Sequence, residues 1–101
     1  MLDKVKEVYQ LQKKAKEIQK TLKNTEIEAK SADFKVTVVM TADQKIKSID
    51  IDESLLDKSS KRDLEEKLIK VIAEGMSRAQ AVAAEKTKGL MGEMGINIPG
   101  M

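Results

Sequence analysis

Lysines near the amino terminus are the residues of this 101-residue chain that are best suited to contact a ligand. Lys6 and Lys20 lie on one face of a predicted helix, about 21 Å apart, which is comparable with about six base pairs of duplex DNA. The lysines on this face recur with spacings of three, four and seven residues, which keeps them on one side of a helix. Together with one lysine on the flank of the face they are Lys6, Lys13, Lys14, Lys16, Lys20 and Lys23. They predict either a series of phosphate contacts or a solvated helix face.

Three more basic residues stand towards the carboxyl end of a second predicted helix: Arg78, Lys86 and Lys88. Cations at this end of a helix interact favourably with its dipole, which explains them without a ligand. If the two helices pack antiparallel, however, these residues lie near Lys6 and Lys13. Both helices then present positive charge at the same extremity, which makes the three residues further candidates for phosphate contacts.

Other charged residues form a weaker pattern. The carboxylates of Asp50, Asp52, Glu53 and Asp57 are ligands that a hard cation uses, but their spacing does not match an EF-hand loop. They are more typical of a solvated sheet edge or of a turn that enters a helix. We therefore predict no metal site.

Composition excludes several classes of function. The chain has no Cys, no His and no Trp, and it has one Phe and one Tyr. Disulfides, thiolate or imidazole metal sites and Ser-His or Cys-His catalysis are excluded, and a base-stacking platform needs more aromatic rings. We expect no enzymatic activity, no cofactor and no small-molecule substrate. The charged amino terminus and the lack of a long apolar run predict a cytoplasmic protein with no targeting segment and no membrane contact.

The element that positions the amino-terminal lysines is a helix over residues 1–24, which holds seven lysines and three acidic residues. Opposite the lysines, apolar residues recur with spacings of three and four, as on the packed face of a helix. These residues are Val8, Leu11, Ala15, Ile18 and Leu22. The helix is uninterrupted by Gly or Pro.

Residues 25–52 predict an antiparallel meander, because apolar and polar residues alternate there with a period of two. The alternation is clearest in residues 34–41, and another strand follows in residues 45–52. Ile46 is out of phase with the other isoleucines of its strand, which indicates a bulge or a strand that begins after it. Residues 25–30 fit either a short first strand or the frayed end of the helix.

A second helix over residues 60–88 is predicted by an apolar stripe that includes Ile72, Met76, Ala79 and Val82. Gly75 lies within the stripe, where it costs about 1 kcal/mol relative to Ala. It suggests either a close approach by another backbone or a glycine that the helix simply tolerates. The glycine-rich residues 89–101 predict a flexible tail.

The lengths of the two helices predict a homodimer. The first helix is about 33 Å long and the second about 42 Å. A compact chain of this size is about 34 Å across, and the sheet covers only about 20–25 Å of the length of either helix. Apolar surface left in water beyond the sheet forfeits roughly 25 cal/mol per Å², and a symmetric second copy covers it. The predicted interface residues are Val8, Leu11, Ala15, Ile18, Leu22, Ile72, Met76, Ala79 and Val82.

The order of elements and two short motifs resemble the YbaB/EbfC family of bacterial nucleoid-associated proteins across essentially the whole chain. The motifs are Ile-Asp-x-Ser-Leu-Leu at residues 51–56 and Gly-x-Asn-x-Pro-Gly at residues 95–100. The resemblance implies a single α+β domain of order α-β-β-β-α, with a three-stranded antiparallel sheet and two long protruding helices. It also implies a tight homodimer whose arms grip duplex DNA. The chain lacks the glycines that are usual in the family in both hairpin turns.

Two functions from different classes follow. The first is a homodimeric protein that binds double-stranded DNA through lysine–phosphate contacts and takes part in nucleoid organisation or gene regulation in the bacterial nucleoid. Arg62 and Arg78 are the only arginines, and phosphate contacts convey no sequence, so little base readout is expected. The alternative is a dimeric helical adaptor or chaperone-like clamp that holds a protein partner between its arms.

Overall fold

The computed structural model describes residues 2–93 and has the predicted α-β-β-β-α order. The elements are α1 (Leu2–Lys23), β1 (Glu26–Lys30), β2 (Val36–Thr41), β3 (Ile46–Ile51) and α2 (Lys61–Glu93), with 3₁₀ turns at Glu53–Leu55 and Lys58–Ser60. The segment after α1 is therefore a strand and not the frayed end of the helix.

The three strands form one antiparallel sheet in the order β1-β2-β3, so that β1 and β3 are its edges. Val39 lies opposite Ser48, whereas its neighbour Met40 lies opposite Ile46. Lys47 is therefore an extra residue in β3, as in a β-bulge. Of the two explanations for the phase of Ile46, the structure confirms the bulge.

One face of the sheet is buried under α2. Val36, Val38 and Met40 of β2 have no exposed surface, and the same holds for Ala79 of α2. A Cβ atom on Gly75 would lie 3.2 Å from the Sδ and Cε atoms of Met40. The close approach at Gly75 is thus made by a methionine side chain and not by another backbone as predicted.

The contact at Gly75 leads to a prediction about stability. We expect Gly75→Val to lower the free energy of unfolding by about 1–3 kcal/mol, because the added methyl groups overpack the space above Met40. Gly75→Ala is the control, since a small shift of the flexible methionine admits one methyl group and Ala gains about 1 kcal/mol in helix propensity. Urea denaturation of both variants measures the difference, and equal stability of the Val and Ala variants would contradict the packing described here.

The β1–β2 turn has a backbone conformation that glycine adopts more easily than other residues. Phe34 has a φ of 61° and is 74% exposed, although bulky residues rarely enter this left-handed region. β2 therefore begins at Val36 and not at Phe34, where the alternation begins. Gln44 has a φ of 68° in the β2–β3 turn, so each turn without glycine contains one left-handed residue.

Asp33 holds the β1–β2 turn together. Its Oδ1 atom accepts hydrogen bonds from the Ser31 hydroxyl at 2.7 Å and from the Lys35 backbone N–H at 3.1 Å. Its Oδ2 atom lies 3.3 Å from the Nζ atom of Lys67 in α2. The Ser31 hydrogen bond, followed by the contacts with Lys35 and Lys67, lowers the pKa of Asp33 to about 2.

The pKa of Asp33 is lower in the folded state than in the unfolded chain. The contacts of Asp33 therefore stabilise the fold at pH values above the ordinary pKa of this carboxyl group, and the stabilisation is lost as the pH falls towards 2. We therefore expect Asp33→Asn to be less stable than the wild type at neutral pH and to lose less stability on acidification. Thermal melting at about pH 7, 4 and 2 measures both effects. Asp50→Asn is the control, since Asp50 is exposed and forms no ion pair among the described residues. Parallel acid profiles for Asp33→Asn and the wild type would contradict the role of Asp33.

Helix α2 is longer than predicted at its carboxyl end. It continues through Gly89 to Glu93 and does not end at Lys88. Leu90 and Met91 are partly buried, and this packing offsets the low helix propensity of the glycines. The first part of the predicted tail is therefore helical, and residues 94–101, which contain the whole Gly-x-Asn-x-Pro-Gly motif, lie outside the described part of the chain.

Both helices leave the sheet at the same end. The start of α2 lies at the β1–β2 turn, where Lys67 pairs with Asp33, and Gly75 covers Met40 near the other end of β2. The remaining turns of α2 continue past that end, where α1 leads into β1. The two helices contact each other and therefore run antiparallel. We call α1 and the part of α2 beyond the sheet the arm.

The arm makes the chain elongated, with extents of 67, 23 and 15 Å and a radius of gyration of 18.8 Å. A compact chain of 100 residues has a radius of gyration of about 13 Å. Ile18 is buried and Leu22 packs against the core, whereas every side chain from Val5 to Lys13 is exposed. The first half of α1 is therefore not covered by the rest of the chain.

Candidate nucleic-acid interface

Five lysines of α1 form an exposed stripe on the side of the helix opposite Ile18 and Leu22, which face the body. The stripe consists of Lys6, Lys13, Lys16, Lys20 and Lys23. None of the five forms an ion pair within residues 2–93. We call this surface the lysine stripe, and its ammonium groups are available to an anionic ligand.

Lys14 differs from the lysines of the stripe. Its side chain is largely buried, and its Nζ atom lies 3.4 Å from the Oε2 atom of Glu17. An ammonium group that already faces a carboxylate gains less from a phosphate. Lys14 is therefore the weakest of the predicted contacts on α1.

Tyr9 lies within the lysine stripe, although the sequence prediction omitted it. Its side chain is exposed, and it lines a shallow groove together with Gln12, Lys13 and Lys16. Tyrosine hydroxyls are common donors to DNA phosphates. The spacing of Tyr9, three residues after Lys6 and four before Lys13, was the sequence signal that places it on this face.

The fold also brings a lysine of the β2–β3 turn to the stripe. Asp43 and Lys45 line an open cavity of about 540 Å³ together with the last two turns of α1. Lys16, Lys20 and Lys23 lie on the helical side of this cavity. The spacing of residues along the chain gives no signal for Lys45, because only the folded sheet places it next to α1.

Arg78 is engaged within the chain. Its Nη1 atom donates a hydrogen bond of 2.7 Å to the backbone carbonyl of Glu28 in β1, and it lies 4.0 Å from a carboxylate oxygen of Glu74. Because β1 is an edge strand, this contact occupies a backbone acceptor that would otherwise be open to another strand. Its geometry gives Arg78 a structural role at the sheet edge.

Lys86 and Lys88 are exposed on the part of α2 that belongs to the arm. Neither forms an ion pair among the described residues. The sequence predicts that these lysines add to the positive charge of α1 if the two helices pack antiparallel. In the structure α1 and α2 are antiparallel. The arm thus has positive charge on both of its helices.

The residues predicted at a dimer interface fall into two groups. One group is packed within the single chain, where it belongs to or borders the interior: Ile18, Leu22, Ile72, Ala79 and Val82. The other group is exposed and consists of Val8, Leu11, Ala15 and Met76. Val8 is 54% and Leu11 is 44% exposed. The second group is therefore available to another molecule.

Strand β3 adds two apolar side chains that the prediction omitted. Ile49 lies opposite Val38 and Ile46 lies opposite Met40, so both isoleucines share the face on which α2 packs. Nearly half of each isoleucine is exposed, because α2 packs mainly against β1 and β2. The uncovered part of this face extends the apolar surface from the helices onto the sheet.

A scan of the chain against models of protein families matches the YbaB/EbfC DNA-binding family over residues 1–94. The chain belongs to this family. The match covers all five strands and helices, so the resemblance found in the sequence is confirmed.

Individual relatives agree with membership of the YbaB/EbfC family. A nucleoid-associated protein of Afipia carboxidovorans is 35% identical over 100 residues, which cover 99% of this chain and 93% of that protein. One of Synechocystis is 40% identical over 94 residues, covering 91% of this chain and 78% of that protein. A crystal structure of an uncharacterized protein from Helicobacter pylori has the same fold, with a TM-score of 0.62, 22% identity and coverage of 86% and 96% of the two chains.

The Ile-Asp-x-Ser-Leu-Leu motif shared with the YbaB/EbfC family forms the path from β3 to α2. Asp52 accepts a hydrogen bond of 2.9 Å from the backbone N–H of Ser54, which lowers the pKa of this carboxyl group. After the motif, Asp57 accepts hydrogen bonds from the Ser59 hydroxyl at 2.7 Å and the Ser60 N–H at 2.8 Å, which lower its pKa. Both carboxylates therefore form the turns that lead into the helix.

Other kinds of site have little support in the described residues. A cavity of about 380 Å³ between the β1–β2 turn and α2 is lined by Lys30, Asp33 and Lys67, whose charges are paired within the chain. No acidic cluster within residues 2–93 is arranged to hold a metal ion. Neither α1 nor α2, over the same residues, has an apolar stretch long enough to cross a membrane.

Proposed function

We propose that this chain is a homodimeric nucleoid-associated protein that binds double-stranded DNA through contacts between lysines and phosphates. The observation that supports it most strongly is the lysine stripe, whose ammonium groups are exposed and free of ion pairs among the described residues. From Lys6 to Lys23 the stripe is about 26 Å long. Duplex DNA has one phosphate charge per ~1.7 Å of its axis, so an aligned duplex offers a phosphate to each lysine.

The composition of this surface favours binding that depends little on DNA sequence. Specific readout relies on side chains such as Arg, Asn and Gln that reach base edges. One of the two arginines, Arg78, is bonded to the sheet edge, and the stripe itself consists of lysines. Lysine–phosphate contacts position a protein on the duplex without conveying sequence.

The exposed apolar side chains support the homodimer. Val8 and Leu11 of α1, Met76 of α2, and Ile46 and Ile49 of β3 are each at least 40% exposed. Covering such surface stabilises an assembly by roughly 25 cal/mol per Å². A second copy presents the same apolar faces and covers them by a symmetric contact, which leaves the lysine stripes on the outside.

The names of the relatives support a role at the nucleoid. The similar proteins of Afipia carboxidovorans and Synechocystis are called nucleoid-associated. We assign this chain to the cytoplasm, bound to the bacterial chromosome, where it takes part in nucleoid organisation or gene regulation. The composition, which lacks His and Cys, supports a binding function and no enzymatic one.

Fluorescence anisotropy with two duplexes of equal length and unrelated sequence tests the proposed function. We expect both duplexes to bind at low salt with affinities within about threefold of each other, because phosphate contacts are independent of sequence. Failure to bind either duplex would contradict DNA binding and favour the helical adaptor. Binding to only one duplex would contradict readout through phosphates alone.

A further inference from the structure

The basic cavity at the base of the arm joins two separate elements. The last two turns of α1 contribute Lys16, Lys20 and Lys23, and the β2–β3 turn contributes Asp43 and Lys45. Three of the five lysines of the lysine stripe therefore border the cavity. The positive surface of α1 does not end with the helix but continues onto the sheet.

Backbone hydrogen bonds hold the two sides of the cavity in a fixed relation. Within the turn, the Gln44 N–H donates to the Thr41 carbonyl at 2.8 Å, and the Thr41 N–H donates to the Lys45 carbonyl at 2.9 Å. The Ala42 N–H donates to the carbonyl of Thr25 at 2.9 Å, which joins the turn to the segment that leaves α1. Lys45 is thus attached to a turn that loses little backbone freedom when a ligand binds.

The charges at the cavity favour an anion. Four lysines face one aspartate. The Nζ atom of Lys45 is 4.0 Å from the Oδ2 atom of Asp43, and 79% of the Lys45 side chain is exposed, so this ion pair is weak. Asp43 also accepts a hydrogen bond from the Thr41 hydroxyl, which fixes it within the turn.

We infer that Lys45 is an additional contact to the DNA backbone and that the cavity receives a phosphate group of the duplex. This inference rests on the proposed function and specifies how the DNA lies. The lysine stripe is on the side of α1 opposite Ile18 and Leu22, and the cavity, which Leu22 also lines, connects the flank of the stripe to Lys45 on the body. A duplex that contacts both the stripe and Lys45 follows α1 along the arm down to the β2–β3 turn.

The test compares duplex binding of the wild type, Lys45→Gln and Lys47→Gln as the salt concentration is varied. Each lost phosphate contact reduces the slope of log K against log salt by about 0.9, which corresponds to a roughly eightfold weaker affinity at about 0.1 M salt. For Lys45→Gln we expect this decrease in slope and affinity once for each copy of the cavity that contacts the DNA. Lys47→Gln is the matched control, because it removes the same charge from the same hairpin at a residue paired with Glu26.

Two further variants make the result specific to the cavity. Lys45→Arg retains the charge and is expected to restore the slope of the wild type. Asp43→Asn retains an acceptor for the Thr41 hydroxyl, removes the negative charge and is expected to bind DNA several-fold more tightly. Circular dichroism confirms that each variant is folded.

The outcomes separate this inference from the proposed function. Wild-type protein that does not bind duplex DNA would overturn both. Wild-type protein that binds DNA while Lys45→Gln and Lys47→Gln give the same slope would overturn the role of Lys45 and leave the lysine stripe in place. A reduced slope for Lys45→Gln alone, restored by Lys45→Arg, supports a phosphate in the cavity.

Discussion

The variant Lys13→Gln/Lys16→Gln/Lys20→Gln is expected to bind duplex DNA two to three orders of magnitude more weakly than the wild type at about 0.1 M salt. The three lysines are the centre of the lysine stripe. Each phosphate contact contributes about 0.9 to the slope of log K against log salt, so the loss of three contacts in one arm lowers the slope by about 2.7. At about 0.1 M salt this corresponds to a loss of about 2.7 orders of magnitude in affinity. The substitutions keep the length and helix propensity of the side chains. Fluorescence anisotropy with an arbitrary duplex measures the loss.

A control variant removes the same charge elsewhere. Lys58, Lys61 and Lys70 lie at or near the start of α2, at the opposite end of the sheet from the arm. Their replacement by Gln is expected to change affinity by only a few fold, through the weaker overall attraction of the protein to DNA. Equal losses for the two triple variants would mean that net charge, and not the stripe, determines binding.

Leu11→Glu is expected to convert the proposed dimer into a folded monomer. Light scattering should show the mass falling from twice the chain mass of 11.2 kDa to the chain mass itself. Leu11 is 44% exposed in the single chain, so a carboxylate there remains solvated in the monomer. Within a dimer interface the two symmetric carboxylates would be buried without a partner, which costs several kcal/mol at each site.

The control for Leu11→Glu is Gln10→Glu, which introduces the same charge at the neighbouring, exposed position of α1. We expect it to remain dimeric. The monomer is also expected to bind DNA more weakly than the dimer, since two linked stripes act on one duplex with a high effective concentration. An unchanged mass for Leu11→Glu at micromolar concentration would contradict an interface on α1.

The order and type of the elements could be predicted because each has a clear period. Spacings of three and four along α1, and the alternation along β2, determine which side chains can share a buried face. The phase of Ile46 also indicated either a bulge or a later start of the strand, and the structure has the bulge, which places this residue opposite Met40. These features depend on neighbours in the chain, so the sequence contains the information needed to infer them.

Features that depend on tertiary packing could not be predicted in this way. The carboxyl end of α2 is extended by the partial burial of Leu90 and Met91, which outweighs the two glycines before Glu93. Phe34 continues the strand pattern, yet it lies in a left-handed turn beside Asp33, which pairs with Lys67 of α2. In each case a contact with another part of the fold accompanies the departure from the local preference.

The same distinction applies to the candidate site. The lysine stripe follows from helical spacing, and the structure places its five members on one exposed face. The engagement of Arg78 by the carbonyl of Glu28 results from the packing of sheet and helices, and so does the cavity that Lys45 and Lys20 both line. Spacing along the chain indicates neither contact, because the residues involved are far apart in sequence.

The salt dependence of duplex binding by the wild-type protein, with its mass in solution known, tests the central claim most directly. If five lysines of one arm contact phosphates, log K falls against log salt with a slope of about −4.5, and a steeper slope follows if both arms bind. A slope near zero, or the absence of binding at low salt, would contradict an interface made of ammonium groups and phosphates.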